Sequence, residues 1–260
     1  MKKAPNFVLG RSYPSLPAAS LDDLFDQPIK AGMNTLALLN GLRFVDSFFP
    51  SGGFAFSSGL EAAVKDGALR DGKDLARYVG DLLVHGIGRR EAVAVAVAHQ
   101  AAATCRVASA LEVDRALEAL KLGRDSRLAS RQMGRQVMKA AAEQLHDHRP
   151  LLDYRRALEE GRTPGHLPVA VGLTLAACGW SRQDTVAAFL YQTTQGMVSA
   201  AMKLLPVGQH EGQQLLAEWG PLIAQLSHRV TPQAGLASWS PVHDIYAMRH
   251  ARLESRLFRS

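Results

Sequence analysis

The sequence predicts an all-α protein, a single bundle of about eight to ten helices with a flexible N-terminal arm and a C-terminal tail, both ends free of the core. Three observations carry this. Apolar residues recur at helical spacing in one segment after another from Asn34 onward. Aromatics make up only 7% of the chain, so the core is built mainly from Ala, Leu and Val. The one strand-like alternation, Val93, Val95 and Val97, is interleaved with alanines, the best helix formers, and has no second strand candidate to pair with. Glu91 to Thr104 therefore reads as a buried helix.

Residues 1–33 hold Pro5, Pro14, Pro17 and Pro28 and no sustained apolar period, the composition of a flexible arm. Asn34 is a candidate N-cap for a helix carrying Leu36, Leu39, Phe44 and Val45. The run Phe48 to Phe54, with Pro50 and the Gly52-Gly53 pair, interrupts it. Helix resumes over 57–66, breaks at Asp66-Gly67 and Asp71-Gly72, and returns over 73–86 as an amphipathic segment with Leu75, Tyr78, Val79, Leu82 and Leu83 at helical spacing. Further helices are expected at about 109–121, 126–146, 151–160, 166–178, 182–204 and 209–228. The segment 182–204 is the clearest, with Ser181 and Asp184 placed to cap it and Val186, Phe189, Leu190, Met197 and Leu204 on one face. Gly220-Pro221 should break or kink the last helix, and Thr231–Val242 reads as a linker before a tail from Asp244 to Ser260. The organisation is thus an arm (1–33), a helical domain (34–230), and a linker with a partner-binding tail (231–260).

Several function classes lack their signatures. Two cysteines, Cys105 and Cys178, build neither a disulfide framework nor a four-thiolate zinc site, which makes a reduced, cytoplasmic setting the expectation. No apolar run reaches the roughly 20 residues that span a bilayer, and MKKAPNFVLG lacks the continuous apolar core of a signal peptide. There is no Walker-type phosphate loop, no dinucleotide fingerprint after a strand and no Gly-x-Ser-x-Gly elbow. Ser51–Phe54 and Ser57–Gly59 faintly resemble phosphate cradles but read better as tight turns between helices. His146, Asp147 and His148 sit at an expected helix end, where cationic side chains suit the dipole, and the other histidines are scattered singly. No two-His, one-carboxylate spacing supports a protein-built metal site, so neither a metal nor a catalytic residue is expected.

Charge is more informative. The formal net charge is +6. The stretch Lys121–Lys139 holds six basic residues and one acid, and Arg127, Arg131, Arg135 and Lys139 recur every four residues along one helical face. The stretch is read either as a solvated face or as a contact for an acidic protein or nucleic acid; the lack of aromatic residues argues against single-stranded nucleic acid. The tail from Ala247 mixes Arg249, Arg252, Arg256 and Arg259 with Leu253, Leu257 and Phe258, the composition of an interface hot spot. The remainder of the chain is close to neutral, which points to acidic protein partners. Gly196 and Ala200, one turn apart, would let another helix approach closely.

Four segments, in order, resemble the UreF family of urease accessory proteins. They are Asp46-Ser47-Phe48-Phe49-Pro50-Ser51-Gly52-Gly53-Phe54 running on to Gly59-Leu60-Glu61, then Ser130-Arg131-Gln132-Met133-Gly134-Arg135, then Lys203-Leu204-Leu205-Pro206-Val207-Gly208-Gln209, and finally the tail from Asp244. The resemblance covers about 34–260 and marks Pro50, Gly52, Gly53 and Glu61 as a signature loop. It implies an all-α, non-enzymatic chaperone that dimerises and bridges a UreD/UreH-type scaffold protein and a UreG-type GTPase while nickel is delivered to apo-urease. Nickel is then handled by the complex, with no cofactor held stably by this chain. It further implies that Arg249, His250, Arg256, Leu257, Phe258 and Arg259 dock on the scaffold. Lys203 and Gln209 would face the GTPase or a nickel passage, and Arg131 and Arg135 are candidates either to act on nucleotide phosphates in trans or simply to dock the GTPase. Phe56 departs from the family, standing where many members carry His or Tyr. Two other readings stand beside this one: a basic helical nucleic-acid-binding protein, and a helical enzyme with a cryptic bundle-core site.

Overall fold

A computed structural model describes residues 34–259; the arm expected over 1–33 lies outside the described residues. Eleven α-helices and no strand occur among them. They are α1 (Thr35–Val45), α2 (Leu60–Lys65), α3 (Gly72–Asp81), α4 (Glu91–Ala103), α5 (Val107–Leu120), α6 (Arg124–Gln144), α7 (Arg149–Glu159), α8 (Leu167–Ala177), α9 (Arg182–Leu204), α10 (Gln209–Arg229) and α11 (Pro241–His250). The all-α expectation holds.

The Ala-Val helix α4 lies at the centre. Its residues from Glu91 to Ala96 are all buried, and α5, α8 and α9 surround it. Over this stretch the helix is enclosed and has no polar face to alternate with, which is why its sequence mimicked a buried strand. Small residues let the backbones close up: a Cβ on Gly172 of α8 would meet the Val95 carbonyl oxygen of α4 at 2.5 Å. α1 attaches to the opposite side of α8. There Gly41 lies against the Trp180 indole, whose Nε1 donates to the Ala37 carbonyl at 2.8 Å.

Four local expectations are corrected. The expected 73–86 helix is α-helical only to Asp81 and widens into a π-turn over Leu82–Ile87, where Gly88 N donates to Leu83 O at 3.0 Å. α10 runs through Pro221 without ending, because Leu215, Leu216, Trp219 and Ile223 are buried on both sides of it and packing outweighs the lost amide bond. Gly196 is exposed and faces open space, so no helix crosses there; the close approach comes from Gly212 of α10, which lies against Val198 of α9.

The fourth correction concerns the C-terminus. Far from being free of the core, Thr231–Ser240 is tied down by Ala237 N donating to Arg89 O at 3.1 Å and Trp239 N to His85 O at 2.9 Å. Pro241 then opens α11 at a position where its missing amide is harmless. Tyr246, Ala247, His250 and Phe258 are buried.

The packing yields a paired test. Gly172→Ala should destabilise the fold by about 1–3 kcal/mol through overpacking. Gly196→Ala, a helix-interior change into open space, should stabilise it by about 0.5–1 kcal/mol. Urea denaturation of both variants reads the difference, and equal effects would contradict the packing described for α4 and α8.

Candidate functional site

The C-terminal segment is held by a single carboxylate. Glu61 lies in the first turn of α2, which Gly59 enters in the left-handed region at φ 84°. The side chain is 1% exposed. It accepts from Leu257 N at 2.8 Å and Phe258 N at 3.1 Å, and His250 Nε2 lies 3.1 Å away. Lys65 is 3.3 Å from it and also donates to the Ser255 carbonyl. Burial opposes ionisation of Glu61, but the two amides, His250 and Lys65 outweigh it and hold the carboxyl below its usual range.

Around this centre the segments that resemble the family meet. Arg259 N donates to Ala55 O in the loop at 2.7 Å, and the Lys203 ammonium sits 5.3 Å from the centre of the Phe258 ring. The loop also approaches α6, with Gly52 near the Gln132 amide and Gly53 near the Met133 sulfur. α11 enters through a notch: Ala247 packs between Gly59 and Gly123, where a Cβ on either would meet it at 3.0–3.1 Å. On the other flank Asp125 pairs with Arg256 at 3.3 Å and lies 3.6 Å from His250 Nδ1. Asp66 accepts from Tyr246 at 3.0 Å and Arg249 at 2.9 Å.

The candidate residues therefore divide by direction. His250 and Phe258 point inward and fix the tail. Arg249, Arg256, Leu257, Arg259 and Lys203 are exposed, with Leu257 at 64%. Pro50 and Gly52 are exposed in the loop, Gly52 at φ 81° and Gly53 opening a 3₁₀ turn. Gln209 begins α10 on the surface. In the basic stretch, Arg131 and Arg127 both reach Glu118, at 3.0 and 3.8 Å, Arg135 donates to the Pro164 carbonyl at 3.3 Å, and Lys121 pairs with Glu91 at 2.5 Å. The stretch is partly internal wiring rather than a row of free cations.

Two buried polar centres had no signal in the sequence, because single charged residues within helical patterns look like surface. Asp114 on α5 accepts from the hydroxyls of Tyr154 and Thr163 and from Gly165 N, each at 2.7 Å, and from His166 N at 2.9 Å. It organises the turn into α8. His166 Nε2 meets Glu118 at 2.9 Å, while burial lowers its pKa. The second centre lies under α11. Arg90 Nε contacts both Glu91 oxygens at 3.2 Å. Burial resists ionisation of Glu91, yet Lys121 and Arg90 bring it down to about 2. His243 Nδ1 meets the Tyr78 hydroxyl at 3.0 Å, and burial, reinforced by Arg90, pulls His243 from 6.5 to about 4.

Among the described residues, no cluster of three or more His, Cys, Asp or Glu side chains has metal-holding geometry. His146 and Asp147, 3.6 Å apart, are both well exposed. No helix among them is long and apolar enough to cross a membrane. Cys105 is exposed and Cys178 buried, both as free thiols.

An all-α fold whose most elaborated surface is a clamp on its own tail defines a helical protein organised around segment docking. The chain belongs to the UreF family, whose model matches residues 69–220. It is 36% identical over 221 residues to the urease accessory protein UreF of Methylorubrum populi, covering 84% of this chain and 97% of that one. It is 35% identical over 227 residues to the protein of the same name from Xanthobacter autotrophicus, covering 86% and 92%. With Actinobacillus pleuropneumoniae serotype 3 UreF the identity is 30% over 222 residues.

His243 supplies a pH test. Its folded pKa lies below its free value, so the unfolded chain takes up the proton first on acidification. Its contribution is complete above about pH 6.5 and lost as pH falls toward about 4, up to about 3 kcal/mol for a shift of that size. Denaturant midpoints measured across that window should fall, and His243→Gln should flatten the slope. A slope unchanged by the substitution would remove His243 as its source.

Proposed function

We propose that this protein is a non-catalytic accessory factor in urease maturation, bridging a UreD/UreH-type scaffold and a UreG-type GTPase while nickel passes to apo-urease. The observation that carries the reading is the convergence of the loop, α6, Lys203 and the tail, segments far apart in sequence, on one built surface. Membership of a family whose relatives are named urease accessory proteins supports it. Nickel is cargo of the assembly, and this chain keeps no cofactor of its own. The protein works in the cytoplasm as a homodimer.

The scaffold meets the outer side of the C-terminus. Val242, Ile245 and Met248 are exposed apolar residues at helical spacing on α11, and Arg249, Leu257 and Arg259 of the same C-terminal segment are exposed as well. An apolar centre with an arginine rim is the composition of a binding hot spot. His250 and Phe258 act from beneath by fixing this surface, and Arg256 does so through Asp125. The GTPase meets the loop side, where Pro50, Phe48 and Phe54 are exposed next to Lys203, with Gln209 beyond. Arg135, exposed and bound only to a carbonyl in this structure, is better placed than Arg131 to reach a phosphate in trans.

Deleting the tail would strip buried Tyr246, His250 and Phe258 from the core and confound binding with folding. Surface substitutions separate the two. Ile245→Asp with Met248→Asp should abolish co-purification with the scaffold protein while leaving the helical circular dichroism and thermal midpoint near those of the parent. Lys203→Glu should weaken retention of the GTPase by at least about tenfold. Undiminished scaffold capture by the double variant would overturn the assignment of α11.

A further inference from the structure

Beneath α11 lies a cavity of about 110 Å³. Ala129, Phe189 and Met197 are among its apolar lining residues, and Arg90, Lys121 and Asp244 among its polar ones. Arg90 is 3% exposed. Its Nε is engaged by Glu91, but its buried Nη1 has no hydrogen-bond partner, and the Asp244 carboxylate, at 3.8 Å, is too distant to supply one. Lys121 directs one of its three N–H groups to Glu91. A buried charged donor without an acceptor is costly, and an oxygen acceptor in the cavity would relieve that cost.

Size and charge narrow the ligand. At about 30 Å³ per water the space suits a few waters or one small organic ion. Glu91, strongly ionised, neutralises one of the two cations. Asp244 faces the other at 3.8 Å, beyond hydrogen-bond reach, and burial pushes its carboxyl up from its ordinary value. The lining combines N–H donors with apolar side chains, which matches an ion with a charged end and a methyl end. The side chains of Lys121 and Asp244 keep 11% and 18% of their exposure, against 4% for Arg90, which places them toward the opening.

We propose that this cavity binds a small monovalent carboxylate of acetate size. Its oxygens accept from Arg90 Nη1 and the Lys121 ammonium, and its methyl group faces Phe189 and Met197. This is independent of which proteins the outer surface of α11 engages.

The full chain titrated with sodium acetate against sodium chloride at matched ionic strength tests the site, with thermal midpoint and saturation-transfer NMR on the acetate methyl as readouts. A saturable response specific to acetate is expected, with transfer from the Met197 methyl. Ala129→Val, which fills the cavity and leaves every charge in place, should abolish it. Arg90→Gln should weaken it by at least about tenfold. The absence of a saturable, acetate-specific response would mean that the cavity holds water only and would overturn the proposal. So would unchanged binding by Ala129→Val. Should either variant fail to fold, the Met197 transfer in the parent chain decides.

Discussion

The placement of the C-terminus depends on one buried carboxylate. Glu61 collects donors from α2, from the end of α11 and from two consecutive amides of the extended segment beyond it. A carboxylate taken out of water is tolerated only when its lone pairs are filled, and here four groups fill them. The constraint also runs backward along the chain. The carboxylate can reach both amides only if α2 starts where Gly59 turns it, and α11 can lie close enough only because Gly59 and Gly123 lack side chains.

The same logic recurs at the other two polar centres. A core of Ala, Leu and Val drives burial without fixing direction, since apolar contact is roughly proportional to area and indifferent to register. Each buried acid stands where the chain needs direction: Asp114 at the turn into α8, Glu91 at the start of α4 beneath α11, Glu61 at the tail. Satisfied polar networks in a low-dielectric interior reject shifted arrangements, because a shift strands a charge. The aliphatic bundle supplies the bulk of the burial, and these acids select its geometry.

Much of the bundle was legible in the sequence. Periodicity and caps located the helices, and the alanines of α4 settled the one ambiguous segment. The misreadings share a cause: local signals were overridden by tertiary contacts. Pro221 looked like a stop because nothing in the sequence shows that Trp219 and Ile223 are clamped on both sides of it. The tail looked free because its buried members include a histidine and its anchors are backbone amides, which carry no residue code. Arg127, Arg131 and Lys121 fell in one basic stretch read as a solvated face or a partner contact, since the acids that engage them, Glu118 and Glu91, come from other helices. The loop, α6, Lys203 and tail segments could be marked by resemblance, but their meeting could not be read from order alone. Arg90, His243 and Asp114 had no signal at all.

Over residues 257–259 the tail is gripped largely by its backbone amides. Glu61 reads the amides of Leu257 and Phe258, and Ala55 reads that of Arg259, while the Leu257 side chain stands in solvent. At residues 257 and 259 anchoring therefore demands an amide N–H, which excludes proline, and asks little of the side chain. Those positions can drift in size, charge and shape without loosening the fold. A segment held by its amides can exchange the side chains it turns to solvent while keeping its attachment.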